Sequence, residues 1–162
     1  MNLLIIGSGA REHSFVWKIF NSKHDIKIFA TNPNAGISKI SICVDVDIND
    51  FVSIKKLIIN HSIDIVLIGP EIPLINGITD FINNDSDLQD VNVIGPSQKG
   101  SMLEGSKEFA KNFMAKYKIP TASYKSFNKS TFDQALSFIN KNTPHYVLKA
   151  DGPAAGKGVI IV

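Results

Sequence analysis

The chain lacks several features that would assign it to a particular class of protein. Its 162 residues include one cysteine, Cys43, so neither an internal disulfide nor a cysteine metal cluster is possible. Because Cys43 lies in the apolar run Ile42-Cys43-Val44, we predict that it is a small buried hydrophobic residue. No apolar run approaches the roughly 18 residues that a membrane span needs, which argues against a membrane protein.

The sequence also lacks any cluster of like charges. The formal net charge is +2, and lysine and arginine form no block, so the charge pattern gives no support to a nucleic-acid partner. Apolar residues make up 44% and charged residues 20% of the chain, which is typical of a globular protein with a buried core. The amino terminus begins directly with a strand-like run and shows no leader pattern, so we expect a cytoplasmic location.

Short β-branched runs alternate with helical patterns in the first half of the chain. Five of these runs are almost wholly apolar, which is typical of strands covered on both faces: residues 2–6, 26–30, 42–44, 64–68 and 91–94. The spacing of apolar residues predicts helices between them, and we expect Trp17, in the first helix, to lie in the core. The pattern predicts an α/β fold with a parallel sheet and crossover helices.

The rhythm changes after Gly95-Pro96, where we place a domain boundary. Residues 1–96 are predicted to form the first domain, residues 97–121 a helical connection, and residues 122–162 the start of a second domain. Within the second half we expect a helical region at 100–116, a short strand at 123–127 and a helix that begins at Thr131 with Gln134 in a capping box. Strands are predicted at 146–150 and 159–162, on either side of a loop of small residues.

The first glycine loop, Gly7-Ser8-Gly9-Ala10-Arg11-Glu12, joins the first strand to the first helix, where doubly wound sheets bind phosphate. A dinucleotide fingerprint would need a small residue in place of Glu12 and an acidic residue at the end of the second strand, which reads Ala30-Thr31-Asn32. We therefore expect a terminal phosphate, held by backbone amides and Arg11. Glu12 would accept backbone amides at the helix start or pair with Arg11, and His13 would either bind the anion or cap the first turn.

Two further loops follow predicted strands and should reach the same edge of the sheet. Asn32-Pro33-Asn34-Ala35-Gly36 is compact enough to bring backbone close to a sugar phosphate. Gly69-Pro70-Glu71 places a carboxylate just beyond the fourth strand, where it could accept hydrogen bonds from a ribose diol. Each loop alone could be a simple turn, but together the three predict a site for a ribose 5-phosphate.

The second glycine loop, residues 149–158, differs from a Walker A loop. Asp151 stands where that motif has its first glycine, Gly158 stands where it has Ser or Thr, and a strand follows instead of a helix. We interpret it as a loop between two strands whose backbone amides close over a triphosphate, with Lys149 and Lys107 as cations near the phosphates. The alternatives are a flexible hairpin and a solvated Lys107.

Taken together, these segments resemble the glycinamide ribonucleotide synthetases, which are ATP-grasp ligases. The resemblance rests on the first glycine loop with His13 and on four further segments: Asn34-Ala35-Gly36, Gly69-Pro70-Glu71 with Pro73-Leu74, Leu103-Glu104-Gly105-Ser106-Lys107, and Lys149-Ala150-Asp151-Gly152 with Ala154-Ala155-Gly156-Lys157-Gly158. It implies a Rossmann-like first domain that holds phosphoribosylamine, followed by the beginning of an ATP-grasp domain.

The resemblance also implies substrates and site residues. The substrates would be 5-phosphoribosylamine, glycine and ATP, with Mg or Mn held by residues beyond position 162; we expect a monomer without nucleic-acid or membrane partners. Phosphoribosylamine would bind at Gly9, Ala10, Arg11, Glu12, His13, Asn34, Gly36, Pro70 and Glu71. ATP would bind at Lys107, Lys149, Asp151, Gly152, Gly156, Lys157 and Gly158. Because the metal and glycine sites would lie beyond residue 162, no catalytic residue is expected here and the chain alone should be inactive.

Three other functions compete with this interpretation. A sibling ATP-grasp enzyme, such as a biotin carboxylase or another purine carboxylating enzyme, would share the sheet and the second glycine loop, but Arg11-Glu12-His13 argues against it. A nicotinamide-dependent dehydrogenase is disfavoured at Glu12 and Asn32. A phosphosugar sensor built from the first domain alone is the non-enzymatic alternative.

Overall fold

A computed structural model describes residues 1–141, 146–154 and 156–162 of the chain. The described residues divide into two compact units, Met1–Ser101 and Met102–Val162. No helix in the described part of the chain is both long and apolar enough to cross a membrane.

The first unit is built around one parallel sheet. Its strands are β1 (Asn2–Ile6), β2 (Lys27–Thr31), β3 (Ile42–Val44), β4 (Ile65–Ile68) and β5 (Asn92–Ile94), in the order β3-β2-β1-β4-β5. Every neighbouring pair is parallel. The prediction of an α/β fold with a parallel sheet is confirmed. Because the strands are parallel, the loops that leave β1, β2 and β4 all emerge at the same edge of the sheet. The chain adds strands first on one side of β1 and then on the other, and ligands of such sheets bind at this point.

Helices cover both faces of this sheet. They are α1 (Ala10–Phe20), α2 (Phe51–Asn60), α3 (Glu71–Ile75) and α4 (Ile78–Asn84), with short 3-10 helices at Ile37–Lys39 and Ser86–Leu88. Alternate residues of β1 point to opposite faces: Leu4 and Ile6 pack in the cluster that contains α2 and α4, and Leu3 and Ile5 in the cluster that contains Val16 of α1. The central strand is therefore apolar throughout because both of its faces are buried.

The second unit contains helices and a hairpin. Helix α5 (Gln98–Gly105) begins in the first unit, and α6 (Lys107–Lys116) and α7 (Phe132–Lys141) follow. Strands β6 (Val147–Lys149) and β7 (Val159–Ile161) pair antiparallel. No hydrophobic side chain among the described residues of 102–162 is buried, in contrast to the first unit.

Three expectations about burial are wrong. Strands β3 and β5 are the two edges of the sheet, so their residues are exposed or half-buried instead of covered on both faces. Cys43, on the edge strand β3, is exposed. Trp17 lies on the outer side of α1, and 57% of its surface is exposed. In each case an apolar run identified the element correctly but not its position at the border of the unit.

Several expectations about the second half also need correction. Residues 123–127 form no strand, and the predicted helical region breaks at Ser106, which caps α6 by accepting a hydrogen bond from the backbone of Phe109. The turn before α7 is capped by Asn128, which accepts hydrogen bonds from Ser130, and not by Thr131. Asn is as good a helix cap as Thr, so composition alone could not select between them.

Candidate functional site

A cleft of about 500 Å³ lies at the carboxyl ends of β1, β2 and β4. The ends of these three strands and the loops after them contribute residues 7–12, Thr31, Asn32, Pro70 and Glu71 to its lining, and the segment after β3 adds Ile48. The sequence predicted that the loops after these three strands would meet, and the meeting of the first and third at the cleft is confirmed. The second loop lines the cleft through Asn32.

The first glycine loop takes a turn that a side chain would obstruct. Gly7 has a φ of 112°, and a Cβ placed there would lie 2.8 Å from Cδ of Pro70. Its N–H donates a hydrogen bond of 2.9 Å to Oγ1 of Thr31, a fully buried side chain at the end of β2. The loop is thereby fixed to the neighbouring strand, and the start of α1 faces the cleft.

The carboxylate of Glu12 is buried within the first glycine loop and binds its backbone. Its Oε2 accepts a hydrogen bond of 2.6 Å from the N–H of Gly9, and only 5% of the residue's surface is exposed. A Cβ at Gly69 would collide with the same carboxylate. A residue without a side chain is therefore needed at the end of β4 to leave room for Glu12. The interpretation of Glu12 as an acceptor at the helix start is confirmed.

Arg11 supplies the cation of the cleft. Its Nη1 donates a hydrogen bond of 2.6 Å to the carbonyl of Gly69, which ties α1 to the end of β4. A guanidinium has five N–H donors, so this bond leaves others for a ligand. The first backbone N–H groups of a helix lack intrahelical acceptors, and the helix dipole is positive there, so the start of α1 and Arg11 together offer donors to an anion.

Asn34, Gly36 and His13 support the loop and are not part of the cleft wall. Nδ2 of Asn34 donates a 2.8 Å hydrogen bond to the carbonyl of Ser8, and its Oδ1 accepts from the N–H of Gly36 at 2.9 Å. A Cβ at Gly36 would collide with the imidazole of His13, so the ring lies directly against that glycine. These three residues hold the second loop against the first.

Pro70 and Glu71 form the third side of the cleft. Glu71 is the first residue of α3 and is half-buried, and no described residue donates a hydrogen bond to its carboxylate. A carboxylate in this position can accept hydrogen bonds from hydroxyl groups of a ligand.

Thr31 is a cleft residue that the sequence analysis does not identify, whereas Asn32 begins the second of the three predicted loops. Asn32 has a φ of 44° and holds the backbone of Val46 through two hydrogen bonds, at 2.6 Å and 3.1 Å. A signal for Thr31 is present in the sequence, because a polar residue follows an apolar run at a strand end, where ligands bind.

The second glycine loop connects β6 to β7, as predicted. The N–H of Ala150 donates a 2.8 Å hydrogen bond to the carbonyl of Gly158, and the chain turns at Gly152 and Gly156, whose φ angles are 79° and 75°. Lys149 on β6 and Lys157 in the loop are exposed. Ala155, part of the motif quoted above, lies outside the described residues.

Asp151 and Lys107 lie together within the second unit. Asp151 accepts hydrogen bonds from Oγ of Ser106 at 2.9 Å, from the N–H of Lys107 at 2.7 Å and from the N–H of Glu108 at 3.2 Å. Burial raises the pKa of Asp151, but these donors, together with the N–H of Gly152, outweigh it and hold the pKa below its ordinary value. Nζ of Lys107 donates a 2.7 Å hydrogen bond to the carbonyl of Gly152.

The described residues do not fit a metal ion by themselves. Over residues 1–141, 146–154 and 156–162, no group of three or more His, Cys, Asp or Glu side chains is placed to hold a metal ion.

Two family models match consecutive parts of the chain. The model described as phosphoribosylglycinamide synthetase, N domain, matches residues 1–104. The model described as phosphoribosylglycinamide synthetase, ATP-grasp (A) domain, matches residues 105–162.

Curated relatives agree with these matches. A phosphoribosylamine–glycine ligase from Caldanaerobacter subterraneus subsp. tengcongensis is 41% identical over 162 residues, which cover 100% of this chain and 37% of the relative. The bifunctional purine biosynthetic protein ADE5,7 of Saccharomyces cerevisiae is 40% identical over 168 residues, which cover 99% of this chain and 20% of the relative. The chain therefore spans little more than a third of the bacterial ligase.

Solved structures have the same fold. The crystal structure of a phosphoribosylamine–glycine ligase from Thermotoga maritima matches with a TM-score of 0.71 and 28% identity, over 100% of this chain and 36% of that one. An N5-carboxyaminoimidazole ribonucleotide synthetase solved with ADP matches with a TM-score of 0.73 and 16% identity, over 99% of this chain and 40% of that one. At that identity the second likeness shows the fold alone.

Proposed function

Because the chain belongs to the phosphoribosylglycinamide synthetase family, we propose that it is the amino-terminal part of a ligase that joins glycine to 5-phosphoribosylamine. ATP is converted to ADP and phosphate in this reaction, which belongs to purine biosynthesis. The observation that carries the proposal is the cleft of about 500 Å³ at the ends of β1, β2 and β4. Arg11 and the start of α1 line it together with Glu71, so a cation, helix-start amides and a carboxylate share one cleft.

Different residues of the cleft bind different parts of phosphoribosylamine. The backbone amide at Ala10 and the guanidinium of Arg11 bind the 5-phosphate, because amides at a helix start and a cation favour an anion. Gly9, whose own N–H donates to Glu12, shapes the loop beside the phosphate. The carboxylate of Glu71, beside Pro70, accepts hydrogen bonds from the ribose hydroxyls. Glu12, His13, Asn34 and Gly36 act indirectly, by holding the loops that carry these groups.

The second glycine loop and two lysines bind ATP. Lys107 and Lys149 neutralise phosphate charge, and the glycine turns at Gly152 and Gly156 let the backbone approach the phosphates closely. The ATP-grasp (A) match over residues 105–162 supports this role. We propose residues 1–96 as the phosphosugar domain, 97–121 as the connection and 122–162 as the first part of the ATP-grasp domain.

The reaction proceeds through an acyl phosphate. An oxygen of the glycine carboxylate attacks the terminal phosphorus of ATP, ADP leaves, and glycyl phosphate is formed. The amine of phosphoribosylamine then attacks the carbonyl carbon, the C–N bond forms, the C–O bond to phosphate breaks, and the amine loses a proton. This order gives the carboxylate the leaving group that it lacks.

We propose that magnesium or manganese is held by residues beyond position 162, as the resemblance to the family implies. We propose a monomer in the cytoplasm whose partners are its small-molecule substrates.

Activity of the full-length protein tests the proposal. We expect ADP release that requires both glycine and phosphoribosylamine and that bicarbonate does not support in place of glycine. The 162-residue chain alone should show none. ADP release triggered by bicarbonate instead of glycine would replace this function with that of a carboxylating ATP-grasp enzyme.

A further inference from the structure

The second glycine loop is fastened to the start of α6 by a cluster of hydrogen bonds that we name the Asp151 clasp. It consists of Ser106, Lys107, Glu108, Asp151 and Gly152. We propose that Asp151 is a positioning residue, which sets where the loop meets ATP, instead of a residue that contacts ATP itself. The inference rests on the proposed function, because it assigns a role within the same nucleotide site.

Both carboxylate oxygens of Asp151 are already engaged. Oδ2 accepts from the hydroxyl of Ser106, and Oδ1 accepts from the N–H groups of Lys107 and Glu108. These amides belong to the first turn of α6, so the negative charge also meets the positive end of the helix dipole. The same charge beside a triphosphate would be repelled. The electrostatics therefore favour the helix start over the nucleotide as the partner of Asp151.

A side chain of the helix extends the clasp to the next residue of the loop. Nζ of Lys107 donates to the carbonyl of Gly152, the residue after Asp151, so the start of α6 supplies all the donors of the clasp and the loop supplies all the acceptors. Ser106 links the two parts, since its Oγ also accepts a hydrogen bond from the N–H of Phe109. Gly152, with its φ of 79°, then turns the chain away from the helix. The loop therefore starts from a fixed point.

A fixed starting point matters for phosphate binding. Lys149 lies two residues before Asp151 on β6, and the glycine turns follow directly after it. If the clasp opens, the position of the whole loop relative to Lys107 becomes variable. Misplacement of binding groups by about 1 Å can lower a rate about 100-fold, so a positioning role has a measurable effect.

The test uses the full-length enzyme with Asp151→Ala, Asp151→Asn, Ser106→Ala and the Asp151→Ala/Ser106→Ala double variant. We expect Asp151→Ala to raise the KM for ATP by roughly tenfold to a hundredfold, while the KM for phosphoribosylamine stays within about twofold. Asn keeps an acceptor for the two amides, so Asp151→Asn should restore most of the affinity. Because Ser106 acts through the same clasp, the double variant should be little worse than Asp151→Ala.

Asp133→Ala is the matched control, because Asp133 is an exposed residue in the first turn of α7 and takes no part in the clasp. It should leave the KM for ATP unchanged. Hydrogen exchange provides a readout that does not need activity: the amides of Lys107 and Glu108 should exchange faster in Asp151→Ala than in the control. If Asp151→Ala does not fold, Ser106→Ala carries the same test.

Three results would overturn the inference. Additive effects of Ser106→Ala and Asp151→Ala, with no rescue by Asn, would mean that Asp151 contacts the nucleotide through its charge. An unchanged KM for ATP in Asp151→Ala would mean that the clasp has no role in positioning. A loss of thermal stability with an equal loss of rate for all substrates would make it a helix cap only. A wild-type enzyme without glycine-dependent ADP release would instead refute the proposed function.

Discussion

Single residues at the strand ends decide the shape of the cleft. Thr31 illustrates this, because its hydroxyl is buried at the end of β2 and accepts the N–H of Gly7, the first residue of the glycine loop. Without that acceptor, a buried donor at the turn of the loop would have no partner. The cleft therefore depends on a residue that belongs to the neighbouring strand.

We predict that Thr31→Val destabilises the chain by roughly 1 to 3 kcal/mol, because valine has the same shape but leaves the N–H of Gly7 unsatisfied. Urea unfolding of the 162-residue chain measures this. Thr31→Ser is the matched control, since it keeps the hydroxyl and loses only a methyl group, and it should be milder. Equal stability of the valine variant and the wild type would show that Gly7 has another acceptor.

The sequence placed residues at the cleft better than it predicted their contacts. Arg11, Glu12, Pro70 and Glu71 line the cleft, and their roles in binding stay predictions. His13 was left between anion binding and capping, and its contact with Gly36 is neither, because it depends on a loop 23 residues away. Thr31 was overlooked since its partner, too, is remote in sequence.

At the scale of elements, an ion-pair cluster joins α2 to the end of α4. Nζ of Lys55 lies 2.7 Å from carboxylate oxygens of both Asp85 and Asp87. The hydrogen bond from Lys55 holds the pKa of Asp85 below its ordinary 3.8, and the bond to Asp85 raises the pKa of Lys55 above 10.5. The stabilisation is therefore complete between these ordinary values.

We predict that Lys55→Met is less stable than the wild type at pH 7, and that the difference shrinks as the pH falls below 3.8. The sign follows from the lowered pKa of Asp85, whose contribution is present above its ordinary value and lost on protonation. Urea unfolding at several pH values measures it. Lys56→Met, one residue along the same helix, is the control, and a pH-independent difference between the two variants would contradict the account.

Element types were largely predictable, but their borders and burial were not. Apolar runs gave all five strands of the sheet, whereas β3 and β5 are edge strands, which only the strand order reveals. The break between α5 and α6 lies at Ser106, whose hydroxyl caps α6 and also donates to Asp151, 45 residues later. The local cap could be sought in the sequence, whereas the contact with Asp151 could not.

At the scale of the whole chain, the two units differ in how they are stabilised. Every buried hydrophobic side chain among the described residues lies between Leu3 and Leu88, and residues 102–162 contribute none. Hydrophobic burial is the main favourable contribution to folding. Because the described residues of the second unit bury no hydrophobic side chain, this contribution is small there.

We predict that residues 1–101 fold alone and that residues 102–162 do not. The first piece should show a cooperative thermal transition by circular dichroism, close to that of the whole chain. The circular dichroism of the second piece should decline gradually with temperature, because this piece lacks a hydrophobic core. A cooperative transition in the isolated piece 102–162 would contradict this assignment.

The claim that the cleft holds a phosphosugar is tested most directly by NMR titration of the 162-residue chain with ribose 5-phosphate. We predict shifts of backbone amides in residues 7–12, 31–32 and 71, no comparable shifts with ribose alone, and loss of binding in Arg11→Met but not in Lys18→Met on the same helix. Shifts that lie outside these three loops, or equal binding by the Arg11→Met variant, would contradict the account.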